Sequence, residues 1–447
     1  MKEKFPSIYK EPIETLQINI GYKCNQACKH CHVNSSPLRT EKMSNEMISL
    51  IPKIIEKYKT FKKSFKVKNL KIHFAVKALT NLSVLRLFKN LGAGLDCVSI
   101  EEIKIGLEAG FDPSEIIYTP NGVSIDEYKE AIGIGTKITV DNISILEKIG
   151  VEFPKLPIFL RLNPHLMAGG NNNISVGHID SKFGISIHQI PLVMRLIKEY
   201  DIEIEGIHIH TGSDILEPDV FERVANLIFS IADKFERIKS IDFGSGFKVK
   251  YKDNDLYTEI ETIGSRFSKV FNRYCEKRNK ELILRFEPGK FLVSEAGSFL
   301  TKVNVIKQTT ACTFVAVNSG FNHLIRPMFY NSYHEIENIS NLNGEKRMYT
   351  VVGYICESDT FAENRILNEV REKDILLFKN TGAYCFSMAS NYNSRLKPAE
   401  VLIMKGKDYL IRNRETLETL LLNQRDIEIW SNLTQTTSSL EDKNVEK

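Results

Sequence analysis

The chain has 447 residues, 42% of them hydrophobic, and a net charge of +4, so it is long enough for a large core and two or three domains. Its Lys and Arg are interleaved with Glu and Asp, which gives no case for nucleic acid as a partner. No apolar run reaches the ~18 residues of a membrane span. The start, MKEKFPSIYKEPIE, lacks the apolar stretch of a signal peptide, and a cytoplasmic protein with mostly unpaired cysteines is expected.

Residues 1–45 form an atypical segment in which Cys24, Cys28 and Cys31 cluster. The scattered Cys97, Cys275, Cys312, Cys356 and Cys385 read as small buried residues. From about 70 to 300, short apolar or β-branched runs alternate with helical stretches. The runs cover residues 70–78, 94–99, 115–120, 136–142, 157–164, 204–213, 238–247 and 282–291. Strands alternating with helices imply parallel βαβ units, and eight units in this length fit a closed (β/α)8 barrel better than an open sheet. The expected barrel spans 46–300. A mostly antiparallel β domain is expected over 301–422, where strands such as CTFVAVNSG, MYTVVGYICES and DYLIRNR follow one another with few helices. Residues 423–447 read as a tail disordered at its end.

In such barrels the chemistry sits where strands end. The strand ends here carry Lys77, Asp96, Asn121, Asn163, His208, His210, Ser213, Asp242, Gly244, Ser245, Gly246, Glu287 and Gly289. A lysine in a barrel mouth can form a Schiff base, and desolvation is expected to lower its pKa toward a usable value. The N–H groups of Gly244, Ser245 and Gly246 can close on a phosphate, with Ser213 as a further donor. A GxG alone is more often a plain turn. Glu287 can pair with a protonated ring nitrogen, and its bland reading is a rim salt bridge. His210 can lie against a cofactor ring, while one of His208 and His210 is expected to be a core histidine.

The ordered motifs from about Phe61 to Leu422 resemble one family. They are HFAVKA around Lys77, LGAGLDCVS, NISVGHIDSKFGI, HIHTGSD, DFGSGF, EPGKFLVSEAG, HLIRPMFY, CESDTF and GAYCFSMASNYNSRLKPAEV. The chain is similar to the diaminopimelate decarboxylases, in the alanine-racemase-like group of pyridoxal-phosphate enzymes. The resemblance implies release of CO2 from meso-2,6-diaminopimelate to give L-lysine, the last step of lysine biosynthesis. It implies that Lys77 holds pyridoxal phosphate, that His210 stacks on its ring, and that Glu287 binds its ring nitrogen. It places Ser213, Gly244, Gly246, Gly289 and Tyr384 around the phosphate. It gives Arg326 and Tyr330 to the distal carboxylate, with Lys290 and Tyr384 also facing substrate. It implies a homodimer in which Cys356, as proton donor, and Glu357, toward the distal amino group, come from the second subunit. The sequence departs from the family at three places: Ser245 stands where glycine is usual, Lys290 where arginine is usual, and CESDT replaces CESGD. Lys290 keeps the charge but loses the bidentate fork.

The Cys24-x3-Cys28-x2-Cys31 spacing resembles the cluster loop of radical S-adenosylmethionine enzymes, where three thiolates hold a 4Fe–4S cluster. Such an enzyme needs its own barrel after the loop, and the barrel here is committed elsewhere. A fusion remnant without a cluster, a structural or sensory metal or cluster, and an assembly artefact all stay open. Three rival functions follow, the blandest a non-catalytic pyridoxal-phosphate carrier. Another is decarboxylation of ornithine, arginine or carboxynorspermidine, against which the positive Arg326 stands. The third is a radical iron–sulfur protein using the N-terminal cysteines.

Overall fold

The computed structural model describes residues 50–165, 181–210, 212, 216, 218–404 and 406–425. Cys24, Cys28 and Cys31, Ser213 and residues 426–447 lie outside them. Helix α1 (Leu50–Ser64) opens the described chain. Units then follow in the expected order: β1 (Leu70–Ala75), α2 (Leu82–Asn90), β2 (Gly94–Cys97), α3 (Ile100–Glu108), β3 (Ile116–Tyr118), α4 (Ile125–Ile134), β4 (Lys137–Val140), α5 (Ile143–Glu152) and β5 (Pro157–Asn163). The second half runs β6 (Ile185–Ser186), α6 (Ile190–Tyr200), β7 (Glu203–Ile209), α7 (Pro218–Ala232), β8 (Ser240–Asp242), α8 (Ile260–Arg278), β9 (Ile283–Phe286) and the short α9 (Lys290–Val293).

The ring order is β4-β3-β2-β1-β9-β8-β7-β5, and β4 pairs with β5 to close it, while β6 adds to β5 alone. All of these pairings are parallel. The first four turns from strand to helix each carry a start signal. Asn81, Ser99, Ser124 and Asn142 each accept a backbone N–H in the first turn of α2, α3, α4 and α5. Such caps satisfy donors that a helix leaves unpaired, at about 1 kcal/mol each. Thus the loops into α2, α3, α4 and α5 are short and defined.

Strand alternation divides the barrel into an apolar outer layer and a polar inner one. Ile158, Leu160 and Leu162 of β5, and Leu284 and Phe286 of β9, join the core beneath the helices. The neighbours Arg161 and Arg285 are also buried but point the other way. A Phe cluster under β8 and β9 locks this division. Phe286 packs 4.5 Å from Phe65 and 5.8 Å from Phe267, and Phe243 lies 4.8 Å from Phe267, between ring centroids. Each such ring buries enough apolar surface to contribute about 1.5–3 kcal/mol. Asp242 and Glu287, adjacent in sequence to Phe243 and Phe286, therefore face the lumen.

After the barrel come β10 (Phe299–Gln308), β11 (Thr313–Val317), α10 (Arg326–Tyr330), β12 (Ile336–Asn338), β13 (Lys346–Val352), β14 (Thr360–Asn368), β15 (Ile375–Phe378), β16 (Glu400–Met404), β17 (Lys407–Arg412) and α11 (Leu417–Leu421). The larger sheet has the order β12-β15-β10-β11-β13-β14. It is antiparallel except for the β11–β13 pair, around its own core. Strands β16 and β17 form a separate hairpin. Its Glu400 accepts from Asn81 on the barrel at 2.9 Å, and Arg412 Nη2 donates to Thr80 O at 2.7 Å. Among the described residues no helix is long and apolar enough to cross a membrane.

Candidate active site

The strand ends meet as the alternation requires. In register, Arg161 of β5 pairs with His208 of β7, His208 with Asp242 of β8, and Asp242 with Arg285 of β9. Below them Arg285 donates from Nε to Ser240 Oγ at 2.7 Å, and its Nη1 lies 3.3 Å from His73 Nε2. The lumen is thus a stack of charged and polar groups, largely withdrawn from water.

Lys77 lies just past β1, with its Nζ 3.1 Å from Asp96 Oδ2 and its side chain 41% exposed toward the mouth. Burial pulls its pKa down, but the charges of Asp96, Tyr384 and Glu287 outweigh this, and the net shift is upward. The expected lowering by desolvation is therefore corrected. Without a cofactor, Lys77 is an ammonium held by Asp96, because an opposite charge at hydrogen-bond distance outweighs partial burial. Burial and Glu287 push Asp96 upward, and the Lys77 ammonium opposes them. Asp96 is only 1% exposed, so its carboxylate aims the lysine into the mouth.

Glu287 is buried, and its Oε2 lies 2.9 Å from His208 Nε2. Burial pushes the Glu287 carboxyl up to about 7. Burial, then the Arg161 charge, holds His208 well below the usual imidazole range. A neutral His208 therefore donates from Nε2 to Glu287. Of the two histidines, His208 is the fully buried one, bonded to Glu287. His210 is only half-buried and sits beside the glycine loop, where its Nδ1 accepts from Ser245 N at 3.4 Å. Glu287 Oε1 and Asp242 Oδ2 are buried without a hydrogen-bond partner. Donor atoms of His208, Asp242 and Glu287 lie within 4.8 Å of one another, so a cation or a cationic ring nitrogen suits them equally by chemistry.

In the glycine loop after β8, Gly244 donates its N–H to Asp242 Oδ1 at 2.8 Å, and the backbone takes conformations that favour glycine. Gly244 and Gly246 have φ of +59° and +123°, values that disfavour any side chain. A Cβ on Gly244 would stand 2.7 Å from Ile209 O and 2.9 Å from His210 Nδ1. Gly289 is packed against Ala75 and Ala78, where a Cβ would come within 3.1 Å of Ala75 Cβ. Tyr384, also at positive φ, donates its N–H to Ala78 O at 2.9 Å, which brings the second domain onto the end of β1. A phosphate between these backbones, a ring beside His210, a ring nitrogen at the orphaned Glu287 Oε1 and a carbonyl carbon at Lys77 fit the residues present.

Arg326 opens α10, and its guanidinium lies 5.6 Å from the Tyr330 ring and 5.8 Å from the Tyr384 ring. These three predicted substrate residues therefore share one corner. Lys290 begins α9 directly after Gly289. Cys356 and Glu357 do not join this set; both are exposed between β13 and β14, with Glu357 accepting from Tyr392 OH at 2.9 Å. Their loop folds on Asp359, whose carboxylate accepts from Ile355 N at 2.9 Å and Phe321 N at 2.6 Å. Asp359 of CESDT is thus a buried carboxylate under the loop.

Sequence reasoning missed Arg161. It stacks over Phe183 at 4.7 Å, and its charge bears on Glu287, Asp141 and Asp96. A lone charge inside an apolar strand was its only signal.

The profile of a family described as "Pyridoxal-dependent decarboxylase, pyridoxal binding domain" matches residues 51–294, and Cys24, Cys28 and Cys31 precede that region. A diaminopimelate decarboxylase from Methanothermobacter thermautotrophicus is 37% identical, over 83% of this chain and 89% of the relative. The crystal structure of a diaminopimelate decarboxylase from Helicobacter pylori with L-lysine is 31% identical. It superposes with a TM-score of 0.74 over 83% of this chain and 94% of that one. The crystal structure of a diaminopimelate decarboxylase from m. jannaschii with L-lysine is 28% identical, with a TM-score of 0.75 over 85% of this chain and 90% of that one.

Proposed function

The chain belongs to the diaminopimelate decarboxylases, a family of pyridoxal-dependent decarboxylases, and from that premise we propose that it releases CO2 from meso-2,6-diaminopimelate to form L-lysine. The observation that carries the reading is one rim on which Lys77, Asp96, Glu287 and the Gly244–Gly246 loop meet Arg326, a cation placed for a distal anion.

Bound in the mouth, pyridoxal phosphate supplies an electron sink for the pair of electrons that loss of CO2 leaves behind. Lys77 is the residue to hold it, and Asp96 keeps the freed Lys77 amine aligned and charged. Glu287 would meet the ring nitrogen, with His208 bonded to its other oxygen. His210 would lie against the ring. Gly244, Gly246, Gly289 and Tyr384 would hold the phosphate, to which the family resemblance adds Ser213. Arg326 and Tyr330 bind the distal carboxylate, since a guanidinium fork matches its two oxygens, and Tyr384 and Lys290 complete the substrate wall. The positive corner disfavours ornithine, whose distal end carries only a cation.

Two copies complete the site in this proposal. Cys356 and Glu357, exposed on one chain, reach the partner's barrel, Cys356 to return a proton and Glu357 to meet the distal amino group. Their exposure in the single chain and the defined fold of their loop support this. The test is CO2 and lysine release from meso-diaminopimelate beside ornithine. Turnover of diaminopimelate is expected, and turnover of ornithine alone would sink the assignment.

A further inference from the structure

Arg326 has an aromatic neighbour that no motif marked. Tyr251 follows β8, in the barrel domain, yet its ring lies 6.0 Å from the Arg326 guanidinium. His334 meets the same ring edge-on, at 5.4 Å and 90°. The loop that carries Tyr251 is tied at several points. Tyr251 N donates to Asp255 Oδ2 at 3.2 Å, Asp255 Oδ1 accepts from Lys248 at 2.8 Å, and Asn380 donates to Lys250 O at 2.8 Å. The ring is therefore placed by both domains.

Two donors in this corner lack an acceptor. Tyr251 OH and Arg326 Nε are both buried and without a hydrogen-bond partner among the described residues. Arg326 uses Nη2 on Ser332 Oγ at 3.3 Å. A donor left buried and unmet is costly, so a corner with two of them suits an acceptor that arrives with a ligand. A carboxylate offers two oxygens and satisfies both. His334 accepts from neither: its Nδ1 donates to Lys379 O at 2.9 Å, and its Nε2 is itself buried without a hydrogen-bond partner among the described residues.

We propose that Tyr251 is a specificity-determining residue that shares the distal carboxylate with Arg326, its hydroxyl donating to one oxygen. This rests on the assignment of Arg326 to that carboxylate. Because Tyr251 stands on the barrel and Arg326 on the β domain, the carboxylate bridges the two domains and reports their correct docking.

The test compares two ligands on the intact holoenzyme. L-Lysine keeps a carboxylate, and 1,5-diaminopentane is the same chain without it. Dissociation constants are measured for wild type, Tyr251→Phe and Arg326→Ala, with melting temperatures alongside. The Phe variant keeps the ring against His334 and Arg326, so its fold is retained. The expected result is about a tenfold loss of lysine affinity in Tyr251→Phe, as for one hydrogen bond to a charged group, with diaminopentane binding unchanged. Unchanged lysine affinity, or an equal loss for both ligands, overturns the proposal while leaving Arg326 in place. If Arg326→Ala keeps the wild-type preference for lysine, or wild type has none, the Arg326 assignment falls and Tyr251 falls with it.

Discussion

The barrel lumen and the β13–β14 loop place their functional groups in opposite ways. In the lumen Asp96, His208, Asp242 and Glu287 are all buried, each bonded to a neighbour, and Lys77 is aimed by an ion pair. On the loop Cys356 and Glu357 stand in solvent, while Ile355 and Asp359 are buried. A buried charge persists only where partners are preformed, so the lumen is complete within one chain. An exposed thiol has no such shell and acquires one only on meeting another surface.

The largest effect expected from breaking the lumen side is at Glu287. Glu287→Ala should lower kcat about a thousandfold, in the range for losing a preorganised electrostatic partner, with a smaller change in KM. A steady-state comparison checks it, and near-normal kcat would place the ring nitrogen elsewhere. Arg326→Ala comes next, with about a hundredfold loss in kcat/KM for diaminopimelate, as for a charge-assisted pair. That loss should sit mainly in KM.

Mixing sharpens the loop side. If each site takes Lys77 from one chain and Cys356 from another, inactive Lys77→Ala and Cys356→Ala dimers, dissociated and remixed, should regain about a quarter of wild-type activity. Random pairing makes half the dimers mixed, each with one intact site. No recovery would mean that Cys356 serves its own chain.

Much of the lumen was legible in the sequence because each strand is a compact apolar run ending in a polar residue, and the eight runs fall on barrel strands. Lys77, His210 and Glu287 could be singled out that way. Asp96 and Asp242 were visible as strand ends but carried no role, since the ion pair and the His208–Glu287 contact join residues far apart in the chain. Strand β14 escaped notice because TFAENRILN mixes buried and exposed positions without clean alternation. Tyr251 escaped because its neighbours Arg326 and His334 belong to the other domain.

Smaller effects test the supports. Asp359→Ala should cost about 1–3 kcal/mol, the penalty for leaving buried N–H groups unpaired, read as a lower midpoint in denaturant. Its activity should fall further than wild type destabilised equally by other means. The pH dependence has a defined sign. Glu287 has a raised pKa in the folded chain, so it favours folding when protonated. That contribution is complete below the ordinary carboxyl value of about 4.5 and is lost as pH rises through about 7. The cofactor-free protein should therefore lose stability over that window, and Glu287→Gln should flatten the loss. An unchanged slope in the variant would show that another group sets it.

The central claim is that Lys77 holds the cofactor and that the lumen is built around it. It is tested most directly by Lys77→Ala against wild type, with visible absorbance of the added cofactor and lysine formation from diaminopimelate measured on the same samples. The account predicts loss of the Schiff-base band and at least about a thousandfold less lysine. A variant that keeps the band and forms lysine at the wild-type rate would contradict it.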